Sequence, residues 1–133
     1  MPQEPIIFNL ADAPTRPMRY DRGTQIRLFG EETGARNVDV HINVINADSG
    51  SGPYHYHEHA ENVYIVLEGS IEVVVEGKRY VLHKDDVGFI PAGLRHSAGA
   101  TGGAPAKALE IYAPVGLDFN IVDDPTDIVE GDR

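Results

Sequence analysis

The sequence predicts an all-β protein. Three observations carry this prediction: the apolar runs are short, turn-forming residues separate them at frequent intervals, and no segment of useful length has the period of an amphipathic helix. A chain of 133 residues is long enough for one compact domain with a hydrophobic core and leaves little room for a second. Many short strands in one domain leave a sandwich, an open barrel or a double-sheet jelly roll as candidate architectures.

The first strands follow a proline-rich start. We expect residues 1–24 to form an extended N-terminal segment, and a short apolar strand to run from Ile26 to Phe29. From residue 38 to residue 45 the sequence VDVHINVI alternates between apolar and polar residues, which predicts a strand with His41 on its polar face.

The middle of the chain is the richest in strand signals. After the glycine-rich break DSGSGP come HYHEH, NVYIVLEG and SIEVVVEGKRYVL, and Glu76-Gly77 lies between two β-rich runs, which predicts a hairpin turn. VGFI and KALEIYAPV supply the last strands. We expect the strand-rich core to cover residues 25–115 and an acidic tail to cover residues 116–133, with both ends of the chain extended along the surface or frayed.

Charge and composition exclude several classes of partner. The formal net charge of −10 argues against binding to nucleic acid or to an anionic membrane surface, because a polyanion would be repelled. No apolar run is long enough to cross a bilayer. The chain has no cysteine, and MPQEPIIFNL lacks a basic region followed by a long apolar core, so we expect a cytoplasmic protein without a membrane or nucleic-acid partner.

The stretch HYHEHAEN sets His55, His57, His59 and Glu61 at every second position. Two histidines one residue apart on a strand can bind one transition metal ion from the same face. A third ligand must then come from elsewhere, and His96 is the natural candidate, because it follows the strand VGFI and the turn PAG. The alternative is that HYHEH is a solvated polar strand and His96 an ordinary turn histidine.

Two segments carry a family resemblance. GPYHYHEHAENVYIVLEG, residues 52–69, resembles the first motif of the cupin superfamily, and DVGFIPAGLRH, residues 86–96, resembles the second. The resemblance covers about residues 38–112 and implies that residues 1–133 form a single cupin domain, a jelly-roll barrel also described as a double-stranded β-helix. It also implies one divalent transition metal ion inside the barrel, commonly manganese, iron, zinc, nickel or copper, held by three histidines and a fourth side chain.

The resemblance implies that His55, His57 and His96 are the histidine ligands. The fourth ligand of the family usually lies seven residues before the closing glycine of the first motif, and that position is Asn62. Simple alternation from His55 would choose Glu61 instead. For Asn62 to face the same side as His55 and His57, the strand needs a bulge or bend near residues 59–60, which shifts the register by one residue.

We expect Asn62, because Asn62, Tyr64 and Val66 then face the barrel interior together. A neutral amide in place of a carboxylate leaves a divalent ion less neutralised, so the site should bind metal more weakly.

Five further residues are candidates for roles in catalysis or substrate binding. Glu61 and His59 are candidate acid–base groups, although His59 near the mouth of the barrel could instead be merely solvated, and Tyr64 could donate a hydrogen bond to a ligand or simply belong to the core. Arg95 could anchor a carboxylate or be solvated, and His41 could line the cavity or be a structural histidine.

Two classes of function fit these residues. The first is a small metalloenzyme of dioxygenase, isomerase or decarboxylase type that acts on a small polar molecule such as a carboxylate, a keto acid or a sugar derivative. The second is a non-catalytic binding or sensor module with a structural or vestigial metal site, because one scaffold hosts many functions. We also expect a homodimer, since PIIFNL and the outward faces of Val63, Ile65 and Leu67 offer apolar surface.

Overall fold

The computed structural model describes residues 4–116 and 118–132, and these contain twelve β-strands. In chain order the strands are β1 (Thr15–Pro17), β2 (Gly23–Phe29), β3 (Asp39–Ile45), β4 (His55–Tyr56), β5 (Glu61–Glu68), β6 (Ser70–Val75), β7 (Lys78–His83), β8 (Val87–Ile90), β9 (His96–Thr101), β10 (Ala106–Ala113), β11 (Asn120–Ile121) and β12 (Val129–Glu130). The all-β prediction is confirmed.

Helical structure in the described ranges is confined to three 3₁₀ turns of three residues each, Leu10–Asp12, Arg19–Asp21 and Glu31–Thr33. None of these short turns approaches the length or the apolar character that a helix needs to cross a membrane.

The strands form two six-stranded sheets that pack as a jelly roll. One sheet has the order β1-β2-β3-β10-β5-β8, and the other has the order β11-β4-β9-β6-β7-β12. The pairings are antiparallel except that of β12 with β7. The double-stranded β-helix is therefore confirmed, and pairing of strands far apart in sequence creates the space between its sheets.

The predicted hairpin joins β6 to β7. Glu76 and Gly77 both have positive φ, 46° and 76°, which is the left-handed backbone that a two-residue turn of type I′ requires. Glycine adopts this conformation without steric cost, whereas Glu76 adopts it at a steric cost because it has a Cβ atom. The turn holds the two strands in the register Val75 opposite Lys78.

The register of β5 decides which side chains face the interior. Its burial alternates so that Asn62, Tyr64 and Val66 are buried, at 2%, 7% and 0% exposure, while Glu61 is exposed. The chain bends at residues 58 and 59, between β4 and β5, which shifts the alternation by one residue as expected from the motif spacing.

The hydrophobic core lies between the two sheets. Val66 and Val73 are its most completely buried large side chains, and around them pack Ile45, Tyr64, Ile71, Leu82, Ile90 and Ala106. Because this cluster closes the space between the sheets, polar residues elsewhere on the same inward faces are left to line a cavity.

Both ends of the chain add short edge strands to the sheets. β1 pairs with β2, β11 pairs with β4, and β12 pairs with β7. β1 and β12 are exposed, so these parts of the two end segments extend along the surface.

Candidate metal centre and cavity

Three histidine side chains converge on the inner surface of the second sheet. His55 on β4 pairs directly with His96 at the start of β9, and His57 follows β4. One ring nitrogen of each lies within 4.8 Å of those of the other two. All three side chains are nearly buried, with exposures of 9%, 6% and 3% for His55, His57 and His96. The structure thus brings together the three histidines that the sequence singled out.

Hydrogen bonds to the backbone fix which nitrogen of each ring faces inward. The Nδ1 atom of His55 lies 2.8 Å from the carbonyl oxygen of Pro53, and that of His96 lies 2.9 Å from the carbonyl oxygen of Leu94. The Nδ1 atom of His57 lies 2.6 Å from the carbonyl oxygen of Asp118. A carbonyl oxygen can only accept, so each Nδ1 carries the proton and each Nε2 keeps its lone pair.

The inward nitrogens fit a transition metal ion. The Nε2 atoms of His55 and His57 are buried and have no hydrogen-bond partner among the described residues. Buried polar atoms are normally paired, and metal-bound histidines normally donate their second ring nitrogen to a carbonyl or carboxylate, as these three do. The donor set therefore matches three ligands of a mononuclear site.

Electrostatics favour a neutral ring for two of the three histidines. Burial, together with the charge of the neighbouring His96, lowers the pKa of His55 to about 3. Burial likewise lowers the pKa of His96. A neutral imidazole can bind a cation without first releasing a proton, so these two side chains are ready to act as ligands at neutral pH.

Asn62 lies where the motif spacing places the fourth ligand. Its side chain is 2% exposed and lines the same cavity as the histidines. Its amide nitrogen donates to the carbonyl oxygen of Ile111 at 3.3 Å, which leaves the amide oxygen as the group available to an ion or ligand. Ligation by Asn62 stays a prediction, whereas its inward position is observed.

Glu61 lies on the opposite face of β5, exposed and outside the cavity lining. Its predicted roles as alternative fourth ligand and as catalytic group do not fit this position. The reason is the bend before β5, which ends the alternation that His55 and His57 began.

The cavity beside the triad has a volume of about 510 Å³, and a charged cluster lies on its other wall. His41 on β3 lies 2.8 Å from the Asp39 carboxylate through Nδ1 and 3.0 Å from the Glu110 carboxylate through Nε2. Arg27 adds two contacts to Asp39, at 3.0 and 2.6 Å. Asn43 donates to the same Glu110 oxygen that His41 contacts, at 2.5 Å.

These contacts set the charges of the cluster. Burial alone would lower the pKa of His41, but the hydrogen bonds to Asp39 and Glu110 outweigh it and raise the pKa to about 9. Burial would raise the pKa of Glu110, but the hydrogen bond and positive charge of His41 lower it on balance. At neutral pH the cluster therefore consists of a histidinium held between two carboxylates.

The chain matches a family of known proteins over most of its strand-rich core. The family model described as the cupin domain matches residues 44–112, over half of the chain and both of the motifs quoted above. The chain belongs to the cupin family.

Individual relatives of this cupin carry names that indicate different activities. It is 31% identical over 78 residues to a quercetin 2,3-dioxygenase of Bacillus subtilis (strain 168), an alignment that covers 53% of this chain and 23% of that one. It is 31% identical over 61 residues to the tetracenomycin polyketide synthase protein TcmJ of Streptomyces glaucescens, which covers 46% of this chain and 41% of that one. The chain thus spans less than half the length of these curated relatives.

Among solved structures, the polyketide cyclase RemF of Streptomyces resistomycificus superimposes on this cupin with a TM-score of 0.78 and 22% identity. The superposition covers 93% of this chain and 89% of that one. At this level of identity the likeness supports the fold.

Four predicted site residues divide evenly between the cavity and the solvent. His41 and Tyr64 line the cavity of this cupin, and burial raises the pKa of Tyr64 to about 12. The side chain of His59 is 74% exposed, because residues 58 and 59 turn outward between the strands. Arg95 is exposed and outside the cavity lining, because it alternates with the inward-facing His96. The proposed roles of His59 and Arg95 at the site therefore do not fit their positions.

Glu110 was not among the predicted site residues, although the pattern of its strand indicates that its side chain faces inward. In the run KALEIYA the side chains of Ala108, Glu110 and Tyr112 share one face, so a carboxylate stands among residues that face inward. Tyr112 contacts both halves of the site, with its ring centroid 4.8 Å from that of His57 and 5.3 Å from that of His41.

The acidic tail also supplies two residues that sequence reasoning missed. The carboxylate of Asp118 accepts hydrogen bonds from the backbone N–H groups of residues 58, 59 and 60, at 2.7, 2.7 and 3.0 Å. The ring of Phe119 stacks on His55, with centroids 4.0 Å apart and planes at 21°. Asp118 thus holds the bend that follows His57, and no local pattern in the sequence points to this contact.

Proposed function

We propose that this cupin is a metalloenzyme that holds one divalent transition metal ion at His55, His57 and His96 and acts on a small polar molecule in the adjoining cavity. The observation that carries the proposal is the pair of buried Nε2 atoms, on His55 and His57, that have no partner in the described part of the chain. Leaving such atoms unpaired costs free energy, and ligation would recover it. A bound ion would supply Lewis-acid polarisation of a ligand oxygen.

The charged wall of the cavity supports an enzyme over a binding module. Glu110 and His41 provide a carboxylate and an imidazolium next to the ligand space, and Tyr64 provides a hydroxyl group that its raised pKa keeps protonated. These are groups that accept, hold or donate protons. We propose a reaction of dioxygenase, isomerase or decarboxylase type on a carboxylate, keto acid or sugar derivative.

Metal analysis tests the proposal. Protein purified without a histidine tag should contain one equivalent of a transition metal, and the His57→Ala and His96→Ala variants should contain little, as measured by elemental analysis. His83→Ala is the matched control, because His83 is exposed and bonded to Ser70 outside the cavity, and its metal content should equal that of the parent. A parent protein that binds no iron, manganese, nickel or zinc after reconstitution would refute the metalloenzyme and favour the binding module.

We also propose that the protein is a homodimer. Val63 lies opposite Phe89 and Ile65 lies opposite Val87 on the outer face of β5 and β8, and β8 is the edge of its sheet. Val63, Val87 and Phe89 are 38%, 65% and 56% exposed, so they form an apolar patch at the open edge of the sheet. Light scattering after gel filtration should give twice the chain mass, and Phe89→Glu should give the monomer mass. A monomeric parent would contradict the proposal.

A further inference from the structure

The carboxylates that line the cavity are already engaged by the protein. Asp39 is bonded to Arg27 and His41, and Glu110 is bonded to His41 and an asparagine. Asp118 accepts from three backbone N–H groups. Each negative charge in the lining therefore has its own donors, so none of them requires a cationic ligand.

The arginines of the lining are different. Arg16, Arg19 and Arg22 are spaced three residues apart, and all three line the cavity. Arg16 lies on β1, Arg19 begins the 3₁₀ turn that follows it, and Arg22 caps the end of that turn. None of the three has a carboxylate within 4.0 Å among the residues at 4–116 and 118–132. The chain has 21 acidic and 11 basic residues, so its net charge is negative. The three arginines at the cavity therefore form a positively charged region in a negatively charged protein.

Arg22 is the best-defined member of this group. It is 8% exposed, its Nη2 donates to the carbonyl oxygen of Ala98 at 2.7 Å, and its Nε donates to that of Gly50 at 3.4 Å. These bonds hold the guanidinium in place, and its Nη1 has no acceptor among the described residues. Burial lowers the pKa of Arg22, while the charge of Glu110 opposes that effect.

A buried charge without a counter-ion is costly, and a guanidinium is suited to bind planar or tetrahedral oxyanions through paired N–H groups. A fixed guanidinium has already lost the rotational freedom that binding would otherwise remove. The position of Arg22 therefore favours an anion supplied by a ligand.

The other two arginines extend the positive region. The guanidinium carbon of Arg19 lies 4.7 Å from the centroid of the Phe119 ring, and that ring stacks on His55. Arg16 donates to the side-chain oxygen of Gln25 at 2.8 Å. Arg19 thus connects the arginine group to the metal centre through a single aromatic ring.

We propose that Arg22, Arg19 and Arg16 form an anion-binding subsite, and that the substrate is a small organic anion whose carboxylate or phosphate group binds there. The inference rests on the proposed function in taking this cavity as the ligand site, and it names the substrate class. The uncharged remainder of the molecule extends toward the histidines. Arg95, which the sequence suggested as the carboxylate anchor, has no part in this subsite.

The test is a titration of the metal-free full chain followed by ¹⁵N nuclear magnetic resonance. The probes are benzoate, its neutral analogue benzamide, and inorganic phosphate. At least one anion should bind and shift the amide signals of residues 16–22, and benzamide should bind at least about tenfold more weakly than the better anion. Preference for benzoate identifies a carboxylate substrate, and preference for phosphate identifies a phosphorylated one.

Matched variants locate the binding. Arg19→Gln and Arg22→Gln should each weaken anion binding by about tenfold, the effect of removing one charged hydrogen-bond donor. Arg95→Gln makes the same charge change outside the cavity and should leave the affinity unchanged. If Arg22→Gln does not fold, the double variant Arg16→Gln/Arg19→Gln takes its place, since both side chains are exposed.

The proposal is overturned if neither anion binds, if benzamide binds as tightly as the anions, or if affinity is unchanged in the folded arginine variants. Because the titration uses metal-free protein, its outcome is separate from that of metal analysis. Metal binding without anion binding overturns the subsite alone. Anion binding in a chain that takes up no metal overturns the metalloenzyme alone.

Discussion

Replacing His41 with glutamine should flatten the pH dependence of folding stability between about pH 6.5 and pH 9. In the folded protein His41 is held between Asp39 and Glu110, and its pKa is raised from 6.5 to about 9. Below pH 6.5 both the folded and the unfolded chains carry the proton, so the stabilising contribution is fully present. As the pH rises toward 9, the unfolded chain loses this proton first and the contribution disappears.

The magnitude follows from the two pKa values. Each pH unit in this window costs about 1.4 kcal/mol of the free energy of unfolding, so the interval from 6.5 to about 9 amounts to about 3 kcal/mol. The same ion pairs also lower the pKa of Asp39 and of Glu110. The free energy of these contacts is already contained in the His41 value, so the shifts of the two carboxylates are not added to it. The side chain of His41 is only 3% exposed, which limits screening by solvent.

The assay is urea denaturation of metal-free protein at pH 7, 8 and 9. The parent should lose about 2 kcal/mol of the free energy of unfolding across this series, and His41→Gln should lose far less. His55 and His96 have lowered pKa values, so they are neutral in the folded chain, and in the unfolded chain they are mostly neutral above pH 7, so they add little slope there. His59→Gln is the control, because that side chain is 74% exposed, and it should keep the parental slope.

Equal slopes in the parent and in His41→Gln would refute the reasoning, as would a parent that becomes more stable toward pH 9. If His41→Gln does not fold, Glu110→Gln takes its place, because it removes one of the two carboxylates that contact His41. Its free energy of unfolding should fall with pH less steeply than that of the parent, but should not become independent of pH.

Three further changes test other parts of the site. Asn62→Asp should strengthen metal binding by about tenfold, measured by competition with a chelator, and weaker binding would contradict the inward register of the fourth ligand. Asp118→Ala should lower the free energy of unfolding by about 1–3 kcal/mol, because three backbone donors lose their acceptor, whereas the exposed Asp124→Ala should change it little. Gly88→Ala should cost about 1–3 kcal/mol, because the added methyl group overlaps the ring of Tyr64, and an unchanged melting curve would contradict this packing.

Local patterns predicted the features that depend on a few consecutive residues. Alternation identified β3, and the Glu76-Gly77 turn identified the hairpin between β6 and β7, because the backbone conformation of a two-residue turn restricts its residue types. The cupin motifs identified His55, His57 and His96, which the structure brings within 4.8 Å of one another. Alternation alone failed at β5, where only the motif spacing placed Asn62 on the inner face.

The site residues that the sequence patterns did not predict are positioned by contacts between distant segments of the chain. Glu110 meets His41 across the pairing of β10 with β3, and Asp118 reaches back to the bend that follows His57. Arg22 is held by carbonyl oxygens at residues 50 and 98. Each contact joins segments that are distant along the chain, and no period or motif around these residues records the partner.

Alternation, turn chemistry and motif spacing are properties of short segments, so the all-β class, the cupin family and the three histidines could be predicted from the amino-acid sequence. The tautomers of those histidines, the charged wall opposite them and the arginines at the cavity depend on the tertiary structure. These features arise where distant strands pair and exclude water, and that long-range pairing sets burial, hydrogen-bond partners and charge.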